Sequence, residues 1–168
     1  WFQKALKSIP DGDKRLMTIE KLARAIDRQG DSKKALEVLL TGHPDKYSSL
    51  FANGKWRATK AWVHVGLREF ESAKKEIVEA INAFESGCGW SDDIADCWNT
   101  RAAIAKGQGR REEVEIYIKK GLAVAEAGGA YYQMSRLINN LGIHVAGKGQ
   151  FQDALKLVQK AKQISERR

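Results

Sequence analysis

Few residues in this chain of 168 are of a type that performs chemistry, and their spacing does not gather them. The three histidines, His43, His64 and His144, lie far apart, and no serine or cysteine stands in a nucleophile motif. Cys88 lies between two glycines, and nothing near it in the sequence is arranged to activate a thiol. We therefore expect no catalytic residues and no enzymatic activity.

Binding sites for phosphate groups and for metal ions are not indicated either. The Gly-Gln-Gly stretch at 107–109 lacks the Gly-Lys-Ser/Thr sequence that completes a phosphate-binding loop. Asp92, Asp93 and Asp96 lack the spacing of a calcium loop, and they fit better as acidic residues at a helix N-terminus. The two cysteines have no second Cys or His pair at zinc spacing. The sequence predicts no metal site and no cofactor.

The net charge of +8 comes from 29 basic and 21 acidic residues, and it is uneven along the chain. Residues 97–168 hold 13 basic and 6 acidic residues, and a basic surface of this kind can bind nucleic acid. The longest basic runs are only pairs, however, and the charges are mixed along helical faces, which is typical of a solvated surface. Nucleic-acid binding is therefore kept as an alternative hypothesis.

The sequence shows no signal for export or for membrane insertion. Its mean hydropathy is −0.47, and no uninterrupted apolar run approaches the roughly 18 residues of a spanning helix. No charged start followed by an apolar stretch marks a signal peptide. We expect no membrane partner and a cytoplasmic location. Because the chain begins with Trp1 and not with methionine, we interpret it as a piece of a longer protein.

A turn followed by the start of a helix occurs four times along the chain. The small residues that close these stretches, Ala35, Ala73, Val114 and Ala154, are 38, 41 and 40 residues apart. Apolar residues spaced by three and four surround each turn, whereas the alternation typical of strands is absent. The pattern predicts an all-α domain spanning 1–168, built of helix pairs in repeats at about 13–46, 47–88, 91–128 and 131–168.

Small residues and capping residues predict where the helices cross and where they begin. Two helices cross closely only where neither carries a bulky side chain, so we expect Gly142 to contact Ala154, with Ala23, Ala61 and Ala102 making the same contact in the other pairs. Asp13 and Asp31 stand at two expected helix starts, where an aspartate can cap the first turn.

The fourth repeat resembles the tetratricopeptide repeat (TPR) family. It reads Asn139-Asn140-Leu141-Gly142, then Gly-Gln-Phe-Gln-Asp-Ala-Leu at 149–155, then Lys160-Ala161, which are the family's Leu-Gly, Gly-x-aromatic, Ala-Leu and Ala marks in order. Trp98 stands where the family often has its first aromatic residue. In the second repeat, Lys60 and Arg68 replace the expected leucine and turn glycine.

The resemblance implies an architecture for the whole chain. It implies a right-handed α-solenoid of antiparallel helix pairs, a TPR-like superhelix, in which residues 1–10 are the end of a preceding repeat. A spacing near 40 residues is similar to that of the long-repeat TPR arrays of bacterial signalling and regulatory proteins. Such an array binds a protein or peptide in a concave groove that the first helix of each pair lines.

The register of the family places eight residues of this chain in that groove. The implied partner-binding residues are Arg24, Arg28, Trp62, Asn99, Lys106, Arg136, Asn139 and Ile143. Glu20 and Arg24 stand where the chaperone-binding type of the family has Lys and Asn, and this departure argues against a chaperone co-factor.

Within the groove, the side chains suggest how a peptide is held. Asn99 and Asn139 are 40 residues apart and are expected to lie above each other, where their amides can hold an extended peptide backbone. The alternative is that both are ordinary polar residues on an exposed face. Arg136 and Lys106 would attract a carboxylate. Trp62 is either an apolar anchor or a core residue.

From these patterns we expect a non-enzymatic module for protein or peptide interaction, a sensor or scaffold segment of a larger cytoplasmic signalling or regulatory protein. One alternative is a helical repeat that binds nucleic acid through the basic C-terminal third. Another alternative is self-association, because Trp1, Phe2 and the apolar stripe of the last helix would be exposed at the ends of the array, where a homo-oligomer could form.

Overall fold

The structure is a computed structural model that describes residue 9 and residues 12–44, 48–87 and 90–166. Every regular element in these described residues is an α-helix, so the prediction of an all-α protein is confirmed. The helices are α1 (Asp13–Arg28), α2 (Ser32–Leu39), α3 (Leu50–Gly66), α4 (Phe70–Ser86), α5 (Ser91–Gly107), α6 (Arg111–Ala127), α7 (Tyr131–Ala146) and α8 (Phe151–Glu166). The expectations for Trp1, Phe2 and Cys88 lie outside the described residues, as does nearly all of the stretch 1–10.

The helices pack in consecutive pairs, α1 with α2, α3 with α4, α5 with α6, and α7 with α8. They divide between two compact units, of which unit 1 contains α1–α4 and unit 2 contains α5–α8. In unit 1, α3 also contacts both helices of the preceding pair, and in unit 2, α7 does the same. This packing is that of an α-helical repeat. None of the described helices has the length and apolar content needed to cross a membrane.

The helix starts match the capping residues only in part. Asp31 caps α2 as expected, because its carboxylate accepts the backbone N–H of Lys34 at 3.0 Å. The expectation for Asp13 was wrong, because Gly12 occupies the N-cap position and Asp13 is already inside the first turn. The carboxylate of Asp13 instead accepts the backbone N–H of Ser49 at 2.7 Å, which ties the start of α1 to the start of α3.

In the fourth pair, the close helix crossing lies where the small residues predict it. A Cβ added at Gly142 would lie 3.3 Å from the carbonyl oxygen of Ala154, so α7 and α8 touch at this pair. Ala23, Ala61 and Ala102 are buried at the corresponding place in the other first helices. We call two positions equivalent when they have the same offset from these residues (23, 61, 102 and 142) or, in the second helices, from the closing residues (35, 73, 114 and 154).

The turn between the helices of a pair requires one residue with positive φ. Gly30, Gly109 and Gly149 fill this position with φ of +90°, +75° and +83°. The equivalent residue of the second pair is Arg68, with φ of +61°. A side chain with a Cβ costs about 1–2 kcal/mol in this left-handed region, so the departure from glycine noted in the sequence is a real local strain.

Each unit has its own apolar core under the first helices. In unit 1, Trp56 of α3 is buried against α2, and its indole N–H donates to the carbonyl oxygen of Leu39 at 3.2 Å. In unit 2, the equivalent residue of α7 is Leu137, which is fully buried against the backbone of α6 at Gly121. One bulky residue of each of these helices therefore packs on the preceding pair, and this fixes which face of the helix stays open.

Candidate functional site

In unit 1, a buried polar cluster joins the two first helices. The carboxylate of Glu20 in α1 is only 2% exposed, and it accepts the hydroxyl of Thr59 in α3 at 2.6 Å. The guanidinium of Arg24 lies 2.6 Å from the same carboxylate and donates to the Thr59 hydroxyl at 3.0 Å. Arg24 was predicted to face a partner. Its guanidinium binds Glu20 and Thr59 within the protein, and about a third of its side chain remains exposed.

Unit 2 repeats this link at equivalent positions with a neutral pair. The side-chain amide of Asn140 in α7 donates to the side-chain oxygen of Asn99 in α5 at 2.7 Å. Asn99 is 5% exposed, whereas Asn139 is exposed to solvent. The expected alignment of Asn99 with Asn139 therefore needs correction: the next residue, Asn140, faces α5, because one residue turns the helix by about 100°.

Arg136 is brought to the same face of unit 2, where several groups hold it. Its guanidinium lies 2.7 Å from the carboxylate of Asp96, donates to the side-chain oxygen of Gln133 at 2.9 Å, and lies 5.6 Å from the centre of the Tyr132 ring. About a third of the side chain is exposed. Lys106, at the end of α5, is exposed. A carboxylate of a partner would therefore have to share the guanidinium of Arg136 with Asp96.

Two large apolar side chains are exposed on the first helices at equivalent positions. Trp62 of α3 is 43% exposed, and Ile143 of α7 is 52% exposed. Trp62 is therefore a surface residue and does not belong to the core. The α1 residue at the same register position is Arg24, and the α5 residue is the half-buried Ala103. Each unit thus exposes a bulky apolar group at this register position of a first helix.

Unit 1 also contains an open cleft between its two first helices. The cleft has a volume of about 270 Å³ and is lined by Met17, Glu20, Lys21, Arg24, Ala25, Arg28 and Lys55. The predicted groove residues Arg24 and Arg28 thus meet here. Met17 and Lys21 were missed, although their spacing from Glu20 and Arg24 by three residues places them on the same side of α1.

The histidines are placed separately and in different surroundings. His43 lies edge-on to the Trp56 ring at 5.8 Å, and His64 contacts the carboxylate of Glu69 at 2.6 Å. In unit 2, burial lowers the pKa of His144, and the nearby Lys148 lowers it further, while Nε2 of His144 is buried without a hydrogen-bond partner. Among the residues that the structure describes, no three His, Cys, Asp or Glu side chains gather to hold a metal ion.

Comparison with known proteins gives a likeness in fold. No family model matches the chain, and no curated protein matches it by sequence. Among solved structures, the chain is similar to the crystal structure of BtubC (BKLC) from P. vanneervenii, with a TM-score of 0.71 and 22% sequence identity. The match covers 98% of this chain and 70% of BtubC. At this identity the likeness concerns the arrangement of the helices alone.

Proposed function

We propose that this chain is a non-enzymatic module for protein or peptide interaction, and that the open faces of its first helices bind the partner. The proposal includes a TPR-like, right-handed solenoid as the architecture and a cytoplasmic sensor or scaffold segment of a larger signalling or regulatory protein as the context. The resemblance of the fourth repeat to the TPR family and the packing of helices in pairs support this proposal.

The observation that carries the proposal is the exposure of Trp62 and Ile143. A bulky side chain that a partner can bury is a suitable anchor for a bound segment, and tryptophan is enriched among the residues that carry most of the binding energy of interfaces. Both units place this group at one register position of a first helix. Near Ile143, the exposed amide of Asn139 offers a donor and an acceptor for the backbone of a bound segment.

A peptide-display selection against the whole chain tests this function. We expect selected peptides to lose about tenfold in affinity or more when Trp62→Ala or Ile143→Ala removes the apolar anchor. Ile116→Ala is the matched control, because Ile116 is also 52% exposed but lies on the second helix α6. Failure to select any peptide, or equal losses in the control variant, would contradict the proposal.

Nucleic-acid binding is the first alternative, and the excess of basic residues in 97–168 favours it. Many of these cations already have a carboxylate close by: Arg110 lies near Glu113, Lys119 and Lys148 near Glu115, and Lys156 near Asp153. Paired charges attract a phosphate backbone less strongly. Binding of a single-stranded oligonucleotide that falls steeply with salt would favour this alternative over peptide binding.

Self-association is the second alternative, and the last helix favours it. Leu39, Ile77 and Ile118 are equivalent positions of α2, α4 and α6 and are at most 1% exposed, whereas the equivalent Val158 of α8 is 42% exposed. Phe151 and Leu155, on the same side of α8, are 70% and 53% exposed. Light scattering over a range of concentrations would reveal a homo-oligomer. If the exposed apolar residues of α8 form the contact, Val158→Lys would convert the oligomer to monomers.

A further inference from the structure

We propose that the cleft between α1 and α3 binds a glutamate or aspartate side chain of the partner segment, with Lys21 and Arg28 supplying the attraction. This inference rests on the proposed function and adds the chemistry of the ligand at one site. Four of the seven lining residues are basic, and only one is acidic. Met17 and Ala25 add an apolar wall beside the cations.

The single acidic residue of the cleft does not oppose an incoming carboxylate. Glu20 is 2% exposed, and its charge is balanced by the guanidinium of Arg24 at 2.6 Å and by the hydroxyl of Thr59. Lys21 and Arg28 are exposed and have no ion-pair partner among the described residues. Lys21 and Arg28 therefore bring two positive charges to the cleft that no carboxylate in the described part of the chain neutralises.

The size of the cleft suits a side chain. A volume of about 270 Å³ lies below the roughly 300–1,000 Å³ of pockets that enclose small molecules. An open cleft of this volume can take one acidic side chain of an extended or helical segment together with a neighbouring apolar group on Met17.

The charge around the cleft favours a peptide over a nucleic acid. Residues 1–96 carry 16 basic and 15 acidic residues, so the basic character is local to the cleft. A nucleic-acid strand carries one phosphate per nucleotide and requires a continuous basic track. A segment with a few carboxylates, by contrast, needs one basic site and no general positive field.

The test is fluorescence anisotropy with a labelled peptide of alternating Glu and Ala, acetylated and amidated at its ends, and with the same peptide in which Gln replaces Glu. Amidation removes the terminal carboxylate, so binding must use side chains. We expect the whole chain to bind the Glu peptide and not the Gln peptide, and the double variant Lys21→Glu/Arg28→Glu to lose about tenfold in affinity or more. Lys21→Gln/Arg28→Gln repeats the test with a smaller change of charge.

The matched control is Lys74→Glu/Lys75→Glu, which makes the same change of net charge at two exposed positions of α4. Unchanged affinity of the control supports the cleft; equal losses in both double variants would overturn it, as would equal binding of the Glu and Gln peptides. Tighter, cleft-dependent binding of an oligo-dT strand would also overturn it, in favour of phosphate. If display-selected peptides respond to Trp62→Ala but not to Lys21→Glu/Arg28→Glu, this inference fails while the proposed function stands.

Discussion

The hairpins α3–α4 and α5–α6 fasten their two helices at the same three register positions, but they use different chemistry. In α3–α4, the carboxylate of Glu76 accepts a guanidinium N–H of Arg57 at 2.9 Å and the ammonium of Lys60 at 2.8 Å. Glu76 is 9% exposed, and the two cations are partly exposed. An ion-pair cluster thus holds this crossing.

In α5–α6, aromatic rings replace the charges. Trp98 and Tyr117, equivalent to Arg57 and Glu76, stack with ring centres 6.0 Å apart and planes 22° apart. Arg101, equivalent to Lys60, lies 4.6 Å from the centre of the Tyr117 ring and donates to its hydroxyl at 3.2 Å. A cation–π contact therefore takes the place of the ion pair.

The difference teaches that the backbone crossing does not dictate the side chains that close it. In the other two hairpins these positions are apolar: Ile19, Leu22 and Val38 in α1–α2, and Ile138, Leu141 and Leu157 in α7–α8. The constant elements are the small residues at the crossing and the bulky residues beneath it. The variable positions must only match each other, because an unmatched charge here would be partly desolvated.

The largest expected effect follows from removing the shared carboxylate. Glu76→Ala leaves Arg57 and Lys60 beside each other without a counter-charge, and we expect the free energy of unfolding to fall by about 3 kcal/mol, the low end for a broken buried pair. Urea denaturation measures the loss. Glu79→Ala, at an exposed position of the same helix, should change stability by less than about 0.5 kcal/mol; a similarly small loss in Glu76→Ala would remove the ion-pair account.

A smaller loss is expected from the aromatic hairpin. Tyr117→Leu keeps an apolar group but removes ring stacking, the cation–π contact and the hydroxyl, and we expect a loss of about 1.5 kcal/mol. A double-mutant cycle with Arg101→Ala isolates the contribution of the pair. A coupling energy near zero in this cycle would show that the tyrosine acts by packing alone.

The turns of the two hairpins should respond in opposite directions. Arg68→Gly relieves the positive φ of +61° in the α3–α4 turn, and we expect a gain of about 1 kcal/mol. Gly109→Ala imposes the same strain on the α5–α6 turn and should cost about 1 kcal/mol. Thermal melting of both variants tests these opposite effects. A lower Tm for Arg68→Gly than for the wild-type chain would contradict the strain at Arg68.

The smallest effect concerns His144 of α7, whose equivalents in the two hairpins are the buried Val63 and Ile104. Burial lowers the pKa of His144. The positive charges of Lys148, Lys106 and Arg111 lower it further, whereas the negative charge of Glu115 raises it. The unfolded chain then binds the proton more readily than the folded one, so stability falls as pH drops below the ordinary value of 6.5.

Replacing this histidine with the equivalent apolar residue removes both the buried nitrogen and its titration. We expect His144→Val to gain about 0.5–1 kcal/mol at neutral pH and to gain more in mildly acid solution. Urea denaturation at the two pH values measures the difference. A gain that does not grow as the pH is lowered would contradict the assignment of the pH dependence to this histidine.

Much of the fold was predictable from the sequence, because small residues at a fixed spacing determine where helices can cross. The contacts of Lys60 were not predictable in the same way. Lys60 replaces the leucine that the TPR pattern predicts, and its partner is Glu76 on the second helix of the pair, which no local pattern reveals. The pairing of Asn99 with Asn140 was also missed by one position, since the rotation of α7 depends on the burial of Leu137.

The central claim is that the open faces of the first helices bind a peptide, and hydrogen exchange of the chain with and without a display-selected peptide tests it most directly. We predict slower exchange in α1, α3, α5 or α7 on the peptide's addition, centred near Trp62 or Ile143, and a loss of this protection in the Ala variants. Protection confined to the second helices α2, α4, α6 and α8 would contradict the account.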